Sequence, residues 1–212
     1  MINKCVIFDL DGTLIDSRED LADSVNLMLA EYGRGSLPVD LITSFVGNGS
    51  KALVERALQG FKADIGEAAK LMKSFYLKRL VNKTYLYDGV VEGLEKLYSK
   101  GWKLGLISNK PQVPTQEILQ HFSLEKYFSC IIGGDNKFPL KPDPASIVHV
   151  IETTNSSVNG SWIFGDNYTD LEAGRRAGLQ CGFAKYGFGQ QGSEIYDIAT
   201  DSFLEFIDFL QK

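Results

Sequence analysis

Cys5-Val6-Ile7-Phe8-Asp9-Leu10-Asp11-Gly12-Thr13-Leu14 opens on apolar residues and then turns abruptly to two acids and a glycine. A short, unbroken apolar run bounded by a turn reads as a strand buried on both faces, as in the middle of a parallel sheet. Two acids at i and i+2 on an extended chain point to the same side. Gly12 lets the backbone turn sharply just past them, and Thr13 can hydrogen-bond the turn to fix it.

Working outward, similar runs recur at 103–107, 130–132, 162–164 and 180–184, the last read as the final strand. Between them apolar residues fall at helical spacing, at 88–100, 111–122, 143–153 and 168–177, with Gly178 as a stop. Strand alternating with helix predicts an α/β fold, a doubly wound, Rossmann-like parallel sheet. One region breaks the alternation. From about Asp16 to about Leu86 there are only helical patterns, at 17–32, 50–60 and 66–81, punctuated by Gly33-Arg34-Gly35 and Gly47-Asn48-Gly49. The expected division is an α/β core of residues 1–15 and 87–212 with a small helical domain, 16–86, inserted after the first strand. Residues 203–210 predict a closing amphipathic helix.

In an open parallel sheet the carboxyl ends of the strands face one crevice, and ligands bind there. Polar residues sit at those ends: Asp9 and Asp11 after the first strand, Ser108 and Asn109 after the second, Asp166 and then Asp170 after the fourth. Several carboxylates brought close repel and raise one another's pKa. A hard cation removes the conflict, and oxygen-only ligands suit Mg2+. Lys141 and the short hydroxyl Ser108 would complete a site for a dianion such as a phosphate. A carboxylate can be a covalent nucleophile. One acid of the Asp9/Asp11 pair would then attack, while the other gives a proton to the leaving group and later takes one from water.

The bulk numbers narrow the field. With 212 residues, 44% hydrophobic and 23% charged, the chain has an ordinary globular balance. A formal net charge of -5 gives no basic footprint for nucleic acid or an anionic membrane. Cys5, Cys130 and Cys181 lie in apolar runs without disulfide or zinc spacing, so buried free thiols in a reducing compartment are expected. No signal-peptide pattern or spanning apolar stretch is visible. The expectation is a soluble cytoplasmic protein acting on a small phosphorylated metabolite, with no nucleic-acid or membrane partner.

Taken together, the blocks resemble a known family. Phe8-Asp9-Leu10-Asp11-Gly12-Thr13-Leu14, then Ile107-Ser108-Asn109-Lys110-Pro111, then Lys141-Pro142-Asp143-Pro144, then Gly165-Asp166-Asn167-Tyr168-Thr169-Asp170 are similar, in order, to the motifs of the haloacid dehalogenase-like hydrolase superfamily. The helical insert looks like that family's cap. Phe45-Val46-Gly47-Asn48-Gly49 and Ser108-Asn109-Lys110-Pro111 look most like its phosphoglycolate phosphatases. The resemblance implies a magnesium-dependent phosphatase working through an aspartyl-phosphate. Asp9 would be nucleophile and metal ligand. Asp11 would be acid/base and give the metal its backbone carbonyl. Ser108 and Asn109 would bind the transferring phosphoryl group, and Lys141 would orient Asp9. Asp166 would bind the metal, with Asp170 in support. Asn167 stands where many relatives carry serine or threonine. Substrate-binding candidates are Thr13, Asn109, Gly47, Asn48 and Lys51.

Blander readings stand beside these. Asp-x-Asp-Gly also occurs in calcium loops, but Leu14 and Ile15 occupy the stretch where further acids would follow. Ser108 can cap the helix beginning near Pro111, Asp143 can cap the next, and Gly47-Asn48-Gly49 can be a helix-entry turn. Tyr186-Gly187-Phe188-Gly189 reads as a flexible rim loop, and His121 and His149 as bystanders in helices. A phosphomutase of the β-phosphoglucomutase type would use the same Asp9. A phosphate-sensing module without catalysis is the non-enzymatic alternative.

Overall fold

The computed structural model describes residues 4–212, so part of the expected core segment 1–15 lies outside the described residues. Strand β1 (Cys5–Phe8) is fully buried, and its alternation decides which face each residue serves. Val6 and Phe8 join one core cluster, while Cys5 and Ile7 join another on the opposite face. The chain then makes a two-residue strand β2 (Ile15–Asp16) and enters the helices α1 (Arg18–Glu31), α2 (Val39–Thr43), α3 (Ser50–Ala57) and α4 (Ile65–Leu77). It returns through β3 (Tyr85–Leu86), which pairs antiparallel with β2.

From there strand and helix alternate: α5 (Val90–Ser99), β4 (Lys103–Ile107), α6 (Gln112–His121), β5 (Cys130–Ile132), α7 (Ala145–Thr153), β6 (Trp162–Gly165), α8 (Tyr168–Arg176), β7 (Gln180–Ala184), β8 (Ile198–Thr200) and α9 (Phe203–Phe209). The main sheet has the order β5-β4-β1-β6-β7-β8, and all its pairings are parallel. The strand that carries Asp9 thus lies between β4 and β6. The chain first builds outward on the β4 side and then crosses to the β6 side, which opens a crevice at the carboxyl ends of these strands.

Both faces are covered, as a parallel sheet requires. On one side Phe8, Phe164, Phe203 and Phe206 form an aromatic core, with Phe164 and Phe206 stacked at 4.0 Å between centroids. On the other, Ile7 and Ile163 meet Ile147 and Val150 of α7 and Leu171 of α8. The first cluster runs on without a break into α1, α3 and α4, through Leu21, Val25, Leu53 and Met72.

Three features depart from the sequence expectations. The inserted segment carries β2 and β3 at its base and the five-residue α2, none of which has a periodic pattern to announce it. The sheet ends in β8, not in the strand at 180–184, and Ile198-Ala199-Thr200 is too short to stand out from its loop. Cys130 is only half-buried, although Cys5 and Cys181 are buried and all three are free. No helix among the described residues is long and apolar enough to cross a membrane.

A buried acid fastens the base of the insert. Asp20, in the first turn of α1, accepts from the Lys83 and Thr84 backbone N–H groups at 2.9 and 2.8 Å and from the Thr84 hydroxyl at 2.8 Å. The outgoing and returning chains are therefore bound to each other beside the crevice.

Candidate active site

Asp9 leaves β1 into the crevice, and its own N–H donates to the Phe164 carbonyl of β6 at 3.0 Å. Its Oδ1 accepts from Lys141 Nζ at 2.8 Å. The same ammonium donates to the Ile107 carbonyl at the end of β4, 2.8 Å away, and to Asp170 Oδ1. All three donors of Lys141 are thus directed, and the side chain is 2% exposed.

Asp170 is fully buried at the start of α8. Its Oδ2 accepts the Asn167 N–H at 3.1 Å, while Asn167 Oδ1 accepts the Thr169 N–H. This reciprocal pair is a capping box. Asn167 therefore serves the helix start. Asp166 Oδ2 accepts the N–H groups of Phe188 and Gly189, at 3.0 and 2.6 Å. Segment 186–189 is consequently no flexible rim. It is pinned at Asp166 and again where the Tyr186 hydroxyl donates to the Thr13 carbonyl at 2.8 Å. A Cβ at Gly187 would collide with Asp166 and the Gly12 carbonyl, which explains the glycine. Gly12 itself holds φ at +80° with Asp166 against its α-carbon, so it needs both the conformation and the space.

Asp9, Asp166 and Asp170 can each offer an oxygen within 4.8 Å of the others. Burial pushes the Asp9 carboxyl up to about 7 against the pull of Lys141, with Asp170 and Asp11 adding to the rise. Asp166 is pushed well above the usual carboxylate range by burial, then by Asp9 and Asp170, despite its two backbone donors. Two carboxyls raised in this way fit a cation beside them, because a bound positive charge would offset both burial and repulsion. Asp9 Oδ2 and Asp166 Oδ1 are not engaged by the bonds above.

Asp11 faces a different environment. Both its oxygens accept from Lys110 Nζ at 2.8 Å, and Oδ1 also accepts from the Ser17 hydroxyl just before α1. Burial works against the Lys110 charge, but Asp11 first and Tyr76 after it more than offset that cost and hold the ammonium above the ordinary lysine range. The two acids of the opening motif thus have separate partners, one in the carboxylate cluster and one toward the insert.

A cavity between the strand ends and helices α3 and α4 brings Asp9, Asp11, Ser108, Asn109, Lys141, Asp166 and Gly47 together on its wall. Ser108 is 4% exposed and does not cap α6, whose first N–H, that of Gln112, donates to Asp135 Oδ1 at 2.6 Å instead. The Asn109 side chain is engaged within the protein, although the residue lines the cavity. Its amide spans Gly47 O (2.8 Å), Lys141 O (2.9 Å) and Lys141 N–H (2.9 Å), so it ties the lysine loop to the insert.

Three of the substrate-binding candidates do not reach the cavity. Thr13 is fully buried and its hydroxyl makes no hydrogen bond, so it does not fix the turn by that group. Asn48 is used up between the Tyr168 hydroxyl and Arg56, each at 2.8 Å, and holds the insert against α8. Lys51 is exposed on the outer face of α3. Asp143 accepts the Ala145 N–H at 2.9 Å at the start of α7. His121 is exposed, and His149 half-buried in α7.

Two cavity residues were not singled out from sequence. Lys110 stands inside a quoted motif, but nothing in its neighbours marks it as buried. Tyr76 lies on the same face of α4 as Ala68 and Met72 and reads as core by its period.

Residues 6–184 match the family model described as haloacid dehalogenase-like hydrolase. A protein of Psychrobacter arcticus named phosphoglycolate phosphatase is 40% identical, over 100% of this chain and 97% of its own. One of Nitrosospira multiformis with the same name is 35% identical, over 94% and 90%. The crystal structure of a protein described as a predicted phosphoglycolate phosphatase, from Haemophilus somnus, superposes with a TM-score of 0.90 at 28% identity, covering 98% of this chain and 97% of that one. With a family match over most of its length and full-length relatives at this identity, the chain belongs to the haloacid dehalogenase-like hydrolases.

Proposed function

We propose that the chain is a magnesium-dependent phosphatase that cleaves a small phosphate monoester through a phosphorylated Asp9, with 2-phosphoglycolate as its leading substrate. The observation that carries this reading is the separation of Asp9 from Asp11. Asp9 Oδ1 is held by Lys141, which leaves Oδ2 to attack phosphorus as the ester P–O bond breaks. Asp11, on the side of the insert, gives its proton to the departing alkoxide. It then accepts a proton from a water that attacks the phosphorus and releases phosphate from Asp9. Ser108, buried just past β4, would hold the phosphoryl oxygens. Asp9, Asp166 and the Asp11 carbonyl would hold Mg2+, with Asp170 in support, and the ion would neutralise phosphate charge. The phosphoglycolate assignment draws on the names of the full-length relatives.

Residues 16–86 act in this reading as a cap, fastened at its base by the β2–β3 pair and Asp20 and at its tip by Asn109 and Tyr168. The free thiols suit a reducing compartment such as the cytoplasm.

Phosphate release from 2-phosphoglycolate, p-nitrophenyl phosphate and glucose 6-phosphate, with Mg2+ and with a chelator, tests the assignment. A rate abolished by the chelator and at least about tenfold higher kcat/KM for 2-phosphoglycolate is expected. Equal rates on all three would remove the phosphoglycolate assignment, and no metal-dependent rate on any would remove the phosphatase.

The raised carboxyls also set a pH dependence. Asp9 goes from an ordinary 3.8 to about 7 on folding without metal. The folded state then binds more protons than the unfolded one between these values, and stability falls as pH rises through that window. Mg2+ competes with those protons. At hundredfold excess over Kd it would add about 2.7 kcal/mol, or roughly 5–10 °C in Tm for a chain of this size. Thermal melts should show that gain at pH 8 and a clearly smaller one at pH 5. Equal gains at the two pH values would contradict the carboxylate cluster as the metal site.

A further inference from the structure

The cavity has an end that phosphoryl transfer does not use. There Lys110 of the core meets Tyr76 of α4, with the ammonium 4.7 Å from the ring centroid. Both residues line the cavity and are buried, at 7% and 3% exposure. The Tyr76 hydroxyl is sealed from solvent and reaches no partner with hydrogen-bond geometry, although the Lys110 ammonium is close enough to act on it electrostatically. Buried hydroxyls usually have a partner; those of Thr13, Ser146 and Thr200 also lack one, but of the four only Tyr76 lines the cavity, where a ligand group can supply it. Lys110 has three donors, of which the two Asp11 oxygens take two. Leu21, Leu53, Met72 and Pro114 close the remaining wall with apolar surface. A cation and a free hydroxyl inside a largely apolar wall favour an anion, because charge-assisted hydrogen bonds strengthen where water is excluded.

Distance then restricts where that anion sits in the substrate. Lys110 is a single hydrogen bond from Asp11, and Asp11 must reach the ester oxygen to protonate it. The anion therefore lies next to the leaving oxygen. In the phosphate ester of a small 2-hydroxy acid, the carboxylate is on the carbon that bears that oxygen. Resting on the phosphatase reading above, we propose that Lys110 and Tyr76 form the leaving-group subsite and select esters whose carboxylate is attached to the phosphorylated carbon. Tyr76 comes from the insert and Lys110 from the core, so the subsite is complete only when the two lie together as they do here.

The test compares 2-phosphoglycolate with 2-hydroxyethyl phosphate, in which a neutral hydroxymethyl replaces the carboxylate. The ratio of kcat/KM for the two esters is measured in the native enzyme, in Tyr76→Phe and in Lys110→Met, with Mg2+ present. The native ratio should favour the acid. It should fall roughly tenfold in Tyr76→Phe and roughly a hundredfold in Lys110→Met, the range for losing a hydrogen bond to a charged group, and the Tyr76→Phe loss should appear mainly in KM. Tyr76→Phe removes one oxygen and keeps the ring, so it reports even if Lys110→Met disturbs Asp11 or the fold. A native ratio near one, or a ratio unmoved by Tyr76→Phe while both esters are still hydrolysed, overturns the subsite and leaves the phosphatase standing. No hydrolysis of either ester or of p-nitrophenyl phosphate by the native enzyme overturns both.

Discussion

Asp9→Asn is expected to lower kcat by about 10^4-fold or more on every phosphate monoester the enzyme accepts, the scale seen when a covalent nucleophile is removed. An amide oxygen can still accept from Lys141, so the 2.8 Å hydrogen bond and the local backbone survive. What is lost is the negative charge that attacks phosphorus. The change also removes one of three buried, mutually repelling carboxylates. Metal-free Tm at pH 8 should therefore hold or rise while activity disappears. Steady-state kinetics and thermal melts on the same preparation check this split. Activity within tenfold of native would remove Asp9 from the nucleophile's role, and an activity loss matched by a large fall in Tm would assign it to folding instead.

Lys141→Met is the second large effect, and it falls on both stability and turnover. The methionine fills similar space but leaves Asp9 and Asp170 buried without their shared cation. Removing one partner of a buried ion pair costs about 3–5 kcal/mol, which for this size of chain is roughly 6–20 °C in Tm. The loss should be greater at pH 8 than at pH 5, since protonation of the carboxyls at low pH relieves the uncompensated charge. Excess Mg2+ should restore part of the stability, because it supplies positive charge to the same oxygens. It should not restore turnover, because Asp9 would have lost the contact that orients it. Denaturation followed at both pH values, with and without Mg2+, decides this. A variant as stable as the native protein at pH 8 without metal would show that Lys141 is not the counter-ion of the cluster.

The core was legible because its strands advertise themselves. Cys5-Val6-Ile7-Phe8 is buried on both faces, so its sequence is apolar without interruption, and polar residues placed just beyond such runs must meet at one edge of the sheet. That geometry brought Asp9, Asp11, Ser108 and Asp166 to one cavity from positions up to 157 residues apart in sequence, and Lys141 joins them from the long loop after β5. Less legible were elements whose stability comes from their surroundings. β8 is three residues at the sheet edge, held through the Lys185 N–H to the Thr200 carbonyl and through pairing to β7. The β2–β3 pair is two residues a side, and Asp20 fastens it by hydrogen bonds that no local pattern reveals.

The insert was the harder part for a related reason. Gly47-Asn48-Gly49 does reach the site, but Asn48 spends its amide on Tyr168 and Arg56, and Lys51 turns outward. The residues of the insert that line the cavity, Tyr76 and Met72 among them, sit on an ordinary apolar face of α4. A side chain that lines a buried cavity obeys the same 3.6-residue period as one that fills a core, so periodicity alone does not separate the two. Lys110 was hidden differently. Its burial depends on Asp11, 99 residues away, and only the folded chain brings them to 2.8 Å.

The central claim is that Asp9 carries the phosphoryl group between the two half-reactions. Asp11→Asn tests it most directly, because loss of the base slows attack by water and lets the covalent form accumulate. The variant is mixed with Mg2+ and p-nitrophenyl phosphate, whose weakly basic leaving group departs without the acid that Asp11 supplies to an alkoxide, quenched in acid within the first turnover, and digested for peptide mass spectrometry. The account predicts the added mass of one phosphoryl group on the peptide containing Asp9, absent from Asp9→Asn treated in the same way. A phosphoryl group found on Ser108, or turnover that proceeds with no labelled peptide at any time point, would contradict it.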